Sequence, residues 1–78
     1  MEKQFGHSRY WTVFIEDRKD GFAGLRLHCE SFGKIYIAAE VIYWDACGQF
    51  YVKTIEKDVP VDIIEALIAE TKQVVKTK

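Results

Sequence analysis

The 78-residue sequence has little proline, little cysteine and no long apolar run. Its only proline is Pro60, and no stretch approaches the ~20 apolar residues that span a membrane. Residues 1–8 contain no apolar segment of the kind that directs secretion. We therefore expect a cytosolic protein with no membrane association, in which Cys29 and Cys47 are free thiols and not a disulfide.

The chain also lacks a charge excess and the short motifs of several enzyme classes. Eleven Lys and Arg face twelve Asp and Glu, for a formal net charge of −1, which argues against binding duplex DNA mainly through its phosphates. No CxxC or HxxxH spacing links His7, His28, Cys29 and Cys47, and there is no GxGxxG, Walker or GxSxG pattern. We predict no metal, no cofactor and no catalytic residues.

What is present predicts a sheet followed by a helix. Segments rich in β-branched and aromatic residues cover 9–16, 22–30, 34–44 and 49–56, and each break between them ends in glycine. From Pro60 the apolar residues recur with a helical period. We predict one α+β domain over residues 1–78, with a flexible N-terminal segment at 1–8, a four-stranded antiparallel meander at 9–56, and an amphipathic helix at 60–76 packed on one face.

Turn lengths predict the strand register, and the register decides which side chains share a face. Breaks of five, three and four residues pair Glu16 with Phe22, Glu30 with Lys34, and Glu40 with Lys53. The helix is then expected on the more apolar face, which carries Trp11, Val13, Ile15, Ala23, Leu25, Leu27, Cys29, Ile35, Ile37, Ala39, Val41, Tyr43, Phe50 and Val52. The opposite face is expected to carry Tyr10, Thr12, Phe14, Arg26, His28, Tyr36, Ala38, Glu40, Ile42, Trp44, Tyr51, Lys53 and Ile55.

That second face is too apolar for an ordinary solvated side of an antiparallel sheet. Aromatics make up 14% of the chain, and tyrosine, tryptophan and arginine are the residue types that anchor protein interfaces. We therefore predict a non-enzymatic protein, an accessory or inhibitory factor of a larger complex, that dimerises or binds a protein partner. The predicted interface residues are Tyr10, Phe14, Arg26, His28, Tyr36, Ile42, Trp44, Tyr51 and Lys53.

Three alternatives stay open at this point. The same aromatics with Arg26 and Lys53 resemble a platform for single-stranded nucleic acid, although cations are few. His28, expected between two tyrosines, suggests a small-ligand or enzymatic site. Finally, Phe5 or Phe32 is expected to cover the patch if the N-terminal segment or the second turn folds over it.

Overall fold

A computed structural model describes residues 1–55 and 58–75. An antiparallel sheet with strands in sequential order is followed by one helix. The elements are β1 (Glu2–Phe5), β2 (Ser8–Asp17), β3 (Phe22–Ser31), β4 (Lys34–Trp44), β5 (Gln49–Thr54) and α1 (Val61–Val74). The α+β class and the C-terminal helix are confirmed, but there are five strands, because residues 2–5 pair with β2. The predicted strand and helix ends, Glu56 and Lys76, lie outside the described residues.

Helix α1 packs its apolar stripe on the middle of the sheet. Pro60 occupies the N-cap position, and its carbonyl accepts the amides of Ile63 and Ile64. Ile63, Leu67 and Thr71 are buried, and the Thr71 hydroxyl is satisfied by the Leu67 carbonyl at 2.7 Å. Within the described part of the chain, no helix has the length and apolar character to cross a membrane.

The β2–β3 register differs by one residue from the prediction. Strand β2 continues through Asp17, which pairs with Phe22, so a four-residue turn replaces the predicted five. The Asp17 carboxylate accepts the amides of Lys19 and Asp20 at 2.9 and 3.0 Å, and its carbonyl accepts that of Gly21. This Asx-type closure turns every side chain of β2 to the opposite face from the predicted one.

The register of the first half of β4 also differs, for two reasons. The β3–β4 turn contains two residues, Phe32 and Gly33, at φ 52° and 79°, which is the type I′ geometry of tight hairpins. A register shift after Leu27 then leaves Ala38 unpaired with β3, as a β-bulge. Ala38 was predicted on the outer side, but it is buried, and its carbonyl accepts the Ile55 amide at 3.0 Å.

Beyond the bulge the predicted β4–β5 pairing is confirmed, and β4 presents the predicted sides, although Leu25 pairs with Val41 and not with Ala39 as the predicted β3–β4 turn required. Trp44 pairs with Gln49 across the four-residue turn, and Glu40 pairs with Lys53. In this half of β4, Ala39 and Val41 therefore face α1 as expected, and both are fully buried.

One of the β2 side chains that face the helix is polar, Thr12, and its hydrogen-bond partner is a residue of α1. The Thr12 hydroxyl donates to Glu70 at 2.7 Å. The N-terminal ammonium of Met1 donates to Thr12 at 2.8 Å and lies 2.6 Å from Glu70. Burial alone would raise the pKa of Glu70, but the hydrogen bonds from the ammonium and Thr12, with the ammonium charge, lower it. This cluster joins the residue that precedes β1 to β2 and α1.

Candidate functional site

The side of the sheet turned away from α1, called the outer face below, carries a broad apolar surface. The register and strand alternation place its side chains in cross-strand rows. Its side chains include Arg9, Trp11, Val13 and Ile15 on β2, Phe22, Arg26, His28 and Glu30 on β3, Ile35, Ile37, Glu40, Ile42 and Trp44 on β4, and Tyr51 and Lys53 on β5. None of these side chains belongs to the buried cluster under α1.

Six of the nine predicted interface residues lie on this face: Arg26, His28, Ile42, Trp44, Tyr51 and Lys53. Three do not. Tyr10 pairs with Cys29, is only 4% exposed and belongs to the core. Phe14 and Tyr36 also point to the helix side, opposite Leu25 and Cys29. The cause is the register: the shorter β2–β3 turn reverses β2, and the two-residue turn with the bulge reverses the start of β4.

The outer face instead holds apolar residues that were expected beneath the helix. Trp11, Val13 and Ile15 come from β2, and Ile35 and Ile37 from β4. Val13 is 43% and Ile35 62% exposed. The sequence does show that every second residue of β2, namely Trp11, Val13 and Ile15, is apolar. The rule that the more apolar side of a strand faces the core then placed these residues on the wrong side of the sheet.

An ion pair lies in the middle of this face. The Arg26 guanidinium donates to the Glu40 carboxylate at 2.7 Å across β3 and β4. The Glu40 side chain is 11% exposed and that of Arg26 is 36% exposed. A charge-assisted bond of this length fixes both side chains, so the charged centre of the face is ordered before any partner arrives.

A second ordered cluster lies one row away. The Trp11 ring stacks on His28 with centroids 5.6 Å apart and an interplanar angle of 10°. The Arg9 guanidinium lies 5.0 Å from the Trp11 ring centroid and 3.4 Å from Glu30. Cation–π and stacking contacts hold this tryptophan in one orientation, as suits an interface anchor.

The predicted arrangement of His28 between two tyrosines does not form. Tyr10 and Tyr36 lie on the other side of the sheet, beside the buried thiol of Cys29. A hydrogen bond with Cys29, and then burial, raise the pKa of Tyr36 to about 12. Neither phenol shares a face with His28, so the geometry that suggested proton transfer there is absent.

The two cysteines lie apart, Cys29 in the core and Cys47 exposed in the β4–β5 turn. In residues 1–55 and 58–75 no three His, Cys, Asp or Glu side chains converge as a metal site would require.

No protein-family model, curated protein or solved structure matches this chain. Its function is therefore inferred from the outer face itself.

Proposed function

We propose that this chain is a protein-binding module whose outer face packs against the outer face of a second copy. The observation that carries the proposal is the combination of exposed apolar side chains with ordered charges on one side of the sheet. Val13, Ile35 and Tyr51 are 43%, 62% and 50% exposed, while Arg26 and Glu40 are already paired. Large apolar side chains exposed together on one sheet face are a usual mark of an interface, and here they surround the paired Arg26 and Glu40.

The size of the face suits a dimer. A strand residue covers about 16 Å² of sheet, so the five strands together present about 650 Å² in projection. Standard protein interfaces bury about 800 Å² on each partner. One copy therefore offers most of one side of such an interface, and two sheets packed face to face form a common architecture.

The charges of the face suit a copy of itself better than an oppositely charged partner. Cations and carboxylates alternate, with Arg9 beside Glu30 and Arg26 beside Glu40. A two-fold axis can set the exposed Lys53 of one copy near a carboxylate of the other. The net charge of −1 leaves little repulsion between copies, and the same balance gives no support to nucleic-acid binding.

The test is the mass of the protein in solution before and after one substitution. Val13→Glu places a carboxylate on the outer face at a side chain that is 43% exposed, so the fold should tolerate it. At low protein concentration, we expect sedimentation equilibrium to show a dimer for the unmodified chain and a monomer for this variant. An added charge at a desolvated interface centre costs several kcal/mol of binding.

Val52→Glu is the matched control. Val52 is 47% exposed on the helix side of β5, so the same chemical change there should leave the dimer intact. If the unmodified chain is a monomer at high concentration, or if both variants dissociate equally, the proposal is wrong.

A further inference from the structure

The turn between β3 and β4 exposes an aromatic ring in a backbone conformation that phenylalanine rarely adopts. Phe32 has φ 52° and is 82% exposed. Its ring lies 5.3 Å from that of His7, in the neighbouring β1–β2 turn. Asparagine or glycine would suit this left-handed position better. Phe32 is thus an exposed aromatic side chain at the tip of a tight turn, supported on one side by the His7 ring. Such a side chain can insert into a pocket of another molecule.

A pocket of matching size lies at the other end of the sheet. A depression of about 340 Å³ is lined on its apolar side by Phe14, Phe22, Ala23, Tyr43, Val74 and Val75. Phe14 and Val74 are 51% and 45% exposed there. A cavity of about 150 Å³ is enough for benzene, so the depression can accept a phenyl ring together with part of a neighbouring side chain.

The two features cannot meet within one copy. Ser31 pairs with Lys34 at one end of β3, and Phe22 pairs with Trp44 at the other. Nine residue steps at about 3.3 Å separate these rows by about 30 Å. Only a second molecule can bring Phe32 to the depression.

The charges of the two ends are opposite. Lys34, exposed beside Phe32, makes no ion pair among the described residues. The depression is rimmed by Glu16, Asp17 and Asp45, with Arg18 as its single cation. Arg18 lies 3.8 Å from Glu16, which leaves two carboxylates in excess over cations. A lysine entering with the phenyl ring would therefore meet a field of opposite sign.

The rim is also held in place before binding. The Asp45 amide donates to the Gly21 carbonyl at 2.9 Å, which ties the β4–β5 turn to the β2–β3 turn. The Asp17 carboxylate is fixed by the amides of Lys19 and Asp20. A preformed rim lowers the ordering cost of association.

We propose that Phe32 of one copy inserts into the depression of a second copy, with Lys34 against the rim carboxylates, so that copies associate head to tail. Such a contact is heterologous, and each bound copy still offers a free Phe32 at one end and a free depression at the other. Its products are short chains or a closed ring, distinct from the two-fold dimer of the outer face.

The experiment separates this contact from the outer-face dimer by using Val13→Glu as the background. We expect sedimentation equilibrium of this variant to show mass that grows with concentration into the millimolar range. Adding Phe32→Asn, which the turn accepts, should weaken that association at least about 30-fold, as loss of an interface anchor does. Lys34→Glu should also weaken it, and Lys34→Glu with Asp45→Lys should restore it.

A mixing experiment tests the head-to-tail geometry. Two variants are made in the Val13→Glu background. Phe32→Asn removes the inserting ring but keeps the depression, and Val74→Arg blocks the depression but keeps Phe32. Each variant alone should be a monomer. An equimolar mixture should form a complex of two chains, one of each variant, and no larger oligomer. If the Val13→Glu protein stays monomeric, or if Phe32→Asn leaves its association unchanged, the inference is overturned. If Val13→Glu leaves the association of the unmodified chain unchanged and Phe32→Asn abolishes it, the outer-face dimer is wrong and the head-to-tail contact stands.

Discussion

Gly24 on β3 has no room for even one more carbon, so Gly24→Ala should be one of the most damaging substitutions in the chain. A Cβ built there would overlap the carbonyl oxygen of Val41 and lie 2.9 Å from the Cα of Ile42. Both are backbone atoms of the neighbouring strand β4. No side-chain rotation can relieve the overlap, and the two strands would have to separate.

The cost follows from where Gly24 lies. It pairs with Ile42 on one side and with Ile15 on the other, so β3 cannot shift without loosening a second ladder. Overpacking a well-filled site typically costs about 1–3 kcal/mol, and this overlap is with backbone in the centre of the sheet. We therefore expect Gly24→Ala to lower the free energy of unfolding by at least about 3 kcal/mol. A 78-residue chain has a free energy of unfolding of about 4–12 kcal/mol in all.

Urea unfolding, followed by tryptophan fluorescence, measures the effect. Gly6→Ala is the control: Gly6 has a positive φ of 62°, which Gly24 does not, but nothing lies within 4 Å of an added Cβ. That variant should lose only about 1 kcal/mol, the cost of the left-handed conformation. If Gly24→Ala is as stable as Gly6→Ala, the close approach of β3 and β4 is wrong.

Two other predictions concern single side chains. Glu70→Gln should lower the free energy of unfolding by about 1–2 kcal/mol at neutral pH. Because the folded-state pKa of Glu70 is lowered, its contribution is lost as the pH falls through that value; a difference in urea stability that does not shrink in acid contradicts this. At Phe32, with φ 52°, Phe32→Asn should be about 1 kcal/mol more stable than Phe32→Val, because a β-branched residue suits this backbone worst. Equal unfolding midpoints would contradict the turn geometry.

Sequence patterns predicted the elements well because each element depends on local signals. The helix followed from the periodicity after Pro60, and the β4–β5 hairpin from a four-residue turn with Glu40 opposite Lys53. The register of the other hairpins depends on details that composition does not reveal. One is the Asp17 carboxylate capping its own turn, and another is Phe32 taking a positive φ. The bulge at Ala38 is a third.

These errors of register changed the candidate site more than the fold. The rule that the more apolar side of a strand faces the core placed Trp11 beneath the helix, and the structure places it outside, stacked on His28. In its place on the helix side lies Thr12, whose hydroxyl is bonded to Glu70 of α1. A polar residue is tolerated under the helix because the helix supplies its partner. Trp11, with no such constraint, leaves an apolar surface that favours a partner molecule. The outer face therefore carries a tryptophan and aliphatic side chains where tyrosine and phenylalanine were predicted, and part of the case for association rests on residues that the sequence assigned to the core.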